Sequence, residues 1–411
     1  MAKQVIVVGG GAAGMLASLF AARTGAAVTL VERNEKLGKK LYITGKGRCN
    51  LTNAAEPEPF LKHILRNPRF LYASLAALDN QKLMALIESL GVPLKIERGD
   101  RVFPQSDKSS DITRALEREL RRLGVVVRYN ARVKGLLIEG GRAAGVTFHT
   151  GENMPADAVI LATGGMSYPV TGSTGDGHDL ARDAGHAVTP LLPALVPINT
   201  VETWAHTLTG LSLKNVALHA YRGNKRIFSE QGEMLFTHFG VSGPLVLTLS
   251  SLLPADLSDV RLSIDLKPAL DDGTLDARLV RELRDQSRKT LGTVMESLAP
   301  RALGIALIER AQLSPARVAS TITREERVRL RMILKNLPLT PASLRGFAEA
   351  IITRGGVSVK DVNPSTLESK KLPGLYFAGE LMDLDATTGG FNLQIAFSTG
   401  ALAGTSAGKD G

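Results

Sequence analysis

The sequence predicts an α/β chain in which a nucleotide-binding domain is interrupted by a large insertion. Three observations carry this reading. A glycine fingerprint, Gly9-x-Gly11-x-x-Gly14, stands between an apolar run and a helix of small residues. The C-terminal stretch returns to the same style, with an apolar run at Leu375–Ala378 before a second small-residue helix. Between them, residues 191–335 change character, first to short alternating strands, then to charged helices.

Each element has its own justification. Val5–Val8 is continuously apolar, as a parallel strand buried on both faces must be. Met15–Thr24 reads as a helix, with Gly25 where a C-terminal cap belongs. Val28–Val31 is a second buried strand and ends in Glu32. Residues 36–53 form a Gly-, Lys-, Asn- and Thr-rich loop. The spacing predicts one helix over Ala73–Leu90, stopped by Gly91, and another over Asp111–Leu123. Strands follow at Val125–Tyr129, Ala131–Ile138 and Asp157–Thr163, the last running into Gly164-Gly165. Prolines 190, 193 and 197 mark the change of style, and Val216–Tyr221 and Val260–Leu266 alternate as half-buried strands do. Residues 271–335 are helical, and Asn392–Ala403 closes the chain as a helix. The expected division is 1–190 with 351–411, a β-rich part of 191–270 with 336–350, and a helical part of 271–335.

Composition narrows the class. The chain has 411 residues, 44% apolar and 22% charged, which excludes a disordered tail, a fibrous repeat and a coiled coil. A single cysteine rules out an intrachain disulfide. The net charge of +10 suits an anionic partner. No apolar run reaches the roughly 18 residues of a membrane span and no secretory pattern opens the chain, so the expected compartment is the cytoplasm, without membrane or metal partners.

The fingerprint has a mechanism. Gly9 permits the tight turn, Gly11 lets a pyrophosphate approach the helix N-terminus, and Gly14 lets helix and strand pack closely. Glu32 would accept from ribose hydroxyls and repel a 2′-phosphate. These residues do not separate FAD from NAD. The C-terminal return does: a strand, Gly379-Glu380, and a turn at Gly389-Gly390 before a helix looks like the second half of an FAD site, with a helix N-terminus that favours negative charge on the reduced ring. A purely structural return strand is the competing reading.

Six segments carry a specific resemblance: Lys40–Asn53 (KLYITGKGRCNLTN), Gly99–Pro104, Ala162–Gly165, Thr171–Gly177, Leu235–Pro244 and Gly389–Gln394. In order through nearly the whole chain, they resemble the BaiN/RdsA family of FAD-dependent oxidoreductases. The resemblance implies a two-dinucleotide-binding-type (Rossmann-like) FAD domain, interrupted by an inserted β-rich, barrel-like domain and a helical domain. Candidate FAD contacts are Gly9, Gly11, Ala13, Gly14, Glu32, Arg33, Gly38, Lys40, Gly47, Asn50, Leu51, Thr52, Val133, Ala162, Thr163, Gly164, Gly379, Glu380, Gly390, Phe391, Asn392, Leu393 and Gln394. Many flavoproteins place Asp where this chain has Glu380, whose longer carboxylate still reaches a ribityl hydroxyl.

Family members have been linked to reduction of a uridine in large-subunit ribosomal RNA, reduction of C=C bonds in bile-acid intermediates, and oxidation of a small aminoketone. The first two share one mechanism: reduced flavin gives hydride to the β-carbon of an activated C=C, and a protein acid protonates the α-carbon. With one fingerprint given to FAD, NADH or NADPH is expected to dock only transiently. Cys49 is the sharpest acid candidate, because a thiol beside Arg48 would have a lowered pKa; the alternative is a small buried hydrophobe. His238 is the rival acid, Arg48 a possible clamp on a carbonyl oxygen, and Tyr168 a pocket wall or packing residue. From Arg278 to Lys335 thirteen basic residues face six acidic ones, a net +7. Arg278, Arg281, Arg284 and Arg288 are expected on one helix side, with a second cluster at Arg324–Arg331. Such a module suits ribosomal RNA backbone contact, against the plainer reading of a solvated face and a small-molecule substrate.

Overall fold

The structure, a computed structural model, describes residues 2–409. Two compact units divide them: Leu195–Gly346, and the described residues on either side of that segment.

The first unit is built on a five-stranded parallel sheet. Its strands are β1 (Gln4–Val8), β2 (Ala27–Val31), β3 (Val126–Arg128), β4 (Ala158–Leu161) and β5 (Leu375–Phe377), in the order β5-β4-β1-β2-β3. Val5 pairs with Ala158 on one side and Val28 on the other, so β1 is central and Val5–Val8 are buried. That placement explains the unbroken apolar run.

Helices α1 (Ala12–Arg23) and α2 (Phe391–Gly408) join the two ends of the chain. Their contact is set by glycine: a Cβ on Gly400 would lie 2.3 Å from the Ala13 carbonyl oxygen, and one on Gly404 would lie 2.1 Å from that of Ala17. Only a helix with this four-residue glycine spacing lets the two backbones approach so closely.

The expected helix over 73–90 is two helices, Tyr72–Ala77 and Asn80–Ser89. Asp79 breaks it by capping the second, accepting from the Lys82 amide at 2.7 Å. The apolar spacing runs on across the break, which is why periodicity alone reads through it. The Leu78 carbonyl left over accepts from Gln394 Nε2 at 3.0 Å and Ser398 Oγ at 2.6 Å, both on α2.

In the second unit a seven-stranded antiparallel sheet runs in the order 337–339, 260–265, 212–222, 225–237, 240–242, 198–200, 341–344. Its two edge strands are separated only by Thr340, so the chain itself carries one edge to the other and the sheet curls into a barrel. The helices Asp272–Asp285, Leu291–Met295, Arg301–Arg310 and Arg324–Lys335 share the sheet's core: Leu218, Phe236 and Ile264 belong to the same buried cluster as Leu279, Leu307 and Leu330. Among the described residues no helix is long and apolar enough to cross a membrane, and no group of three or more His, Cys, Asp or Glu could hold a metal ion.

Candidate cofactor site

The site begins where β1 turns into α1. Gly9 has φ +106, and a Cβ there would lie 2.6 Å from the Ala162 carbonyl oxygen. A Cβ on Gly14 would lie 1.7 Å from the Gly9 carbonyl oxygen, so helix and turn require glycine at both places. Gly11 is different: nothing lies within 4 Å of its Cβ position. Gly11 is also the N-cap of α1, and no side chain caps the helix. The first-turn amides therefore face open space, which is a ready anion site.

Glu32, 7% exposed, does more than expected. One carboxylate oxygen accepts from the Gly10 amide at 2.7 Å, and the other from the Asn34 amide and side chain at 2.8 and 2.7 Å. It fixes the glycine turn and keeps free lone pairs for a diol.

From here a cleft runs to the N-terminal turn of α2. Of the expected residues, Gly9, Gly11, Ala13, Glu32, Arg33, Gly38, Lys40, Val133, Ala162, Thr163, Gly164, Glu380, Asn392 and Leu393 line it. The others stand behind its wall. Gly14 and Gly379 are packing positions: the Gly379 Cβ would lie 2.8 Å from that of Ala13. Leu51 and Thr52 are fully buried, and Thr52 donates to Gln394 at 2.6 Å. Asn50, with its amide set by its neighbours, donates to the Thr52 carbonyl and accepts from the Gly390 amide, both at 3.1 Å. Phe391 stacks on His63 at 4.2 Å. Gly47 lies in the same supporting loop and does not reach the cleft. These residues, expected as contacts, lie outside the cleft lining, where the segment 50–53 is pinned to the first turn of α2. Even Asn392, in the wall, turns its amide onto the Ala386 backbone at 2.9 and 2.8 Å.

Asp176 was missed. It lines the cleft and accepts from Arg132 at 2.8 and 3.1 Å and from Arg33 at 3.3 Å. Burial works against its charge, but these partners hold its carboxyl below the usual value. The Thr171–Gly177 motif was the available signal, read only as part of a resemblance.

Lys40 and Glu380 meet in the cleft wall at 2.6 Å. Glu380 also accepts from the Thr353 amide at 2.8 Å and Ser167 Oγ at 2.9 Å, while Lys40 donates to Ser167 at 2.6 Å. Burial pushes the Glu380 carboxyl up; Lys40 and these donors outweigh it and hold it below its ordinary value.

The catalytic expectations need correction. Cys49 is fully buried and has φ +60, and burial pushes its thiol up to about 12, opposed only by the Thr44 hydroxyl. It is the small hydrophobe of the competing reading, not an activated thiol. Arg48 does not activate it. Its guanidinium binds Glu97 at 2.8 and 3.2 Å and Asp107 at 3.2 Å, and lies 4.0 Å from the Phe103 ring centre. So engaged, Arg48 does not line the cleft. His238 belongs to the second unit, where its exposed ring meets Phe239 edge-on at 4.9 Å, and it is absent from the cleft lining. Tyr168, at φ +53, is likewise outside the lining.

The basic helices also differ from expectation. The helix that carries Arg278 ends at Asp285, so Arg288 lies beyond it. Arg278 turns to Glu282 at 3.8 Å and to the Ser297 carbonyl at 3.1 Å, leaving Arg281, Arg284 and Arg288 exposed. Arg327 binds Asp276 at 3.0 and 3.2 Å, and Arg331 lies 3.5 Å from Asp272. These acids precede Arg278 in the same helix. Counted over 271–335 there are nine acidic residues against thirteen basic, and the surplus falls from +7 to +4.

Comparison with known proteins agrees with this architecture. The model of a family described as "HI0933-like protein Rossmann domain" matches residues 3–406. The chain is 32% identical to the 3-dehydro-bile acid delta(4,6)-reductase of Clostridium scindens, covering 98% of this chain and 99% of that protein. It is 30% identical to the ribosomal RNA dihydrouridine synthase of Escherichia coli, covering 96% of each. Among solved structures it is similar to a 3-ketosteroid-delta4-(5alpha)-dehydrogenase from Rhodococcus jostii RHA1, with TM-score 0.52, 18% identity, and coverage of 99% and 97%. At that identity the likeness is one of fold.

Proposed function

The chain belongs to the HI0933-like Rossmann-domain family, and from that premise we propose that it reduces an activated C=C, best a uridine of large-subunit ribosomal RNA to dihydrouridine. It is an FAD-dependent oxidoreductase. The residues present fit FAD. The uncapped amides of α1 would hold the pyrophosphate, Glu32 a ribose diol, and Glu380 with Lys40 would stand along the rest of the cleft. When bound, FAD supplies the hydride, taken up from NADH or NADPH that docks transiently. The protein's own residues close the glycine turn, orient the cleft wall and keep carboxylates ionised where they face cations.

The observation that carries the RNA reading is the whole-length likeness to ribosomal RNA dihydrouridine synthases, at 30% and 28% identity. Exposed arginines 281, 284 and 288 suit a phosphate backbone. A uridine in folded RNA must leave its stack to reach the cofactor, which favours a target in a loop. The 32% identity to a bile-acid reductase favours a second reading, a small enone substrate reduced by the same chemistry.

Deleting the gene and mapping ribosomal RNA by mass spectrometry decides between them. Loss of one dihydrouridine, restored by the plasmid-borne gene, is the expected result. An unchanged map overturns the RNA reading and leaves the enone reductase.

A further inference from the structure

One cluster near the cleft, Asp385 with Arg66, Arg354 and Asp383, stands just outside its lining. Asp385 lies in the loop that leads into α2, next to Leu384, which lines the cleft. It is 0% exposed, and neither side-chain oxygen accepts a hydrogen bond in the structure. Arg66 Nε lies 3.0 Å from one of them, but off the angle a hydrogen bond requires.

The contrast with Glu380 and Glu32 is instructive. Those carboxylates are also sheltered, yet each accepts three hydrogen bonds from nearby donors. A buried acid with a purely structural role is satisfied in that way, because an ionised carboxylate without donors carries its full desolvation cost. Asp385 has the opposite design.

The surrounding charges are mixed. Arg66 comes from the segment bridged to this loop through Ile64 and Ala386, where the Leu65 and Arg66 amides both point to the Asp385 carbonyl. Arg354 lies on the strand Ile352–Arg354, two positions after Ile352, a cleft-lining residue on the same strand face. Asp383 is the nearby like charge. His63, in the segment packed on the loop, contacts Thr387 at 2.9 Å, and burial lowers its pKa. Burial pushes Asp385 up and Asp383 pushes it further, while Arg66 and Arg354 oppose; it stands at about 7.

We propose that Asp385 is the proton reservoir of the reduction, holding the proton that the substrate carbon takes up, with Arg66 as the cation that sets its release. In balance, the C=C gains a hydride from the reduced cofactor at one carbon and a proton at the other. Asp385 is left as a carboxylate facing Arg66 and is reprotonated from solvent. The inference rests on the C=C reductase reading, and it fills the place that Cys49 vacates.

Two measurements on the holoenzyme keep the readings apart. The first needs no acceptor: infrared titration of the carboxyl C=O band. A band that is lost around pH 7, is absent in Asp385→Asn, and persists to higher pH in Arg66→Gln supports the proposal. A carboxyl already ionised at pH 5 overturns it, whatever the substrate. The second is the pH profile of turnover with in-vitro-transcribed ribosomal RNA, or with a 4-en-3-one steroid if the RNA is inert. Turnover falls as pH rises through about 7. Asp385→Asn lowers the plateau at least tenfold and removes that limb, and Asp385→Glu restores it. A limb unchanged in Asp385→Asn overturns the proposal.

Discussion

Lys40 Nζ lies 2.6 Å from the Glu380 carboxylate although 340 positions separate the two in sequence. The pair joins the N-terminal and C-terminal halves of the cleft wall. Each side chain keeps about a fifth of its surface, 23% and 20%. Removing Lys40 leaves a mostly buried carboxylate without its cation. Lys40→Met is expected to destabilise the first unit by about 3 kcal/mol at neutral pH, and Lys40→Met with Glu380→Gln by less. Denaturant unfolding of the two variants checks this. The pH dependence has a definite sign. Glu380 is held below its ordinary 4.5, so its contribution is complete above that pH and is lost as the pH falls through the lower folded value. A stability curve that does not steepen below pH 4.5 relative to Glu380→Gln refutes it.

Two glycines of one fingerprint should fail differently. A Cβ on Gly14 meets a carbonyl oxygen, so Gly14→Ala is expected to cost about 1–3 kcal/mol and lower Tm with or without FAD. A Cβ on Gly11 meets nothing in the protein and projects where an anion would approach. Gly11→Ala should leave the apoprotein's stability within about 0.5 kcal/mol of the parent while reducing bound flavin at least tenfold. Calorimetry and the flavin-to-protein absorbance ratio separate the two.

Cys49 should be inert. With its thiol at about 12 and no surface exposed, it will not react with a thiol reagent at pH 8 until the protein is denatured, and then reacts fully. Cys49→Ser is expected to keep turnover within about twofold. Rapid labelling of the native chain would return it to the list of acids.

Arginines of the helical segment divide into structural and free. Arg327→Gln should lower Tm, because it leaves Asp276 without its bidentate partner. Among the described residues neither Arg281 nor Arg288 has an ion pair, so a double Gln variant should keep Tm. If RNA is the substrate, that variant loses RNA affinity uniformly and its salt slope falls by about 2. Filter binding across salt concentrations measures both quantities.

The sequence by itself determined the dinucleotide fold, because its signals are local. An unbroken Val5–Val8 run, three glycines at fixed spacing and an acid at the next strand end each follow from what one strand–turn–helix unit requires. The C-terminal return was legible for the same reason, as a strand, a glycine turn and a small-residue helix, whereas the close approach of Gly400 and Gly404 to α1 appears only in the fold. The tertiary structure decided everything that depends on which distant side chains meet. Arg48 is adjacent to Cys49 in sequence but spends its charge on Glu97 and Asp107, so proximity along the chain gave the wrong electrostatics. Which arginines of the helices are engaged was likewise invisible, since Arg331 and Arg327 meet Asp272 and Asp276 only in the fold. Asp385 carries no sequence signal, since its state is set by burial and by Arg66, Arg354 and Asp383 around it. Charge interactions act through space over a few ångströms, and only the folded chain says which few residues those ångströms contain.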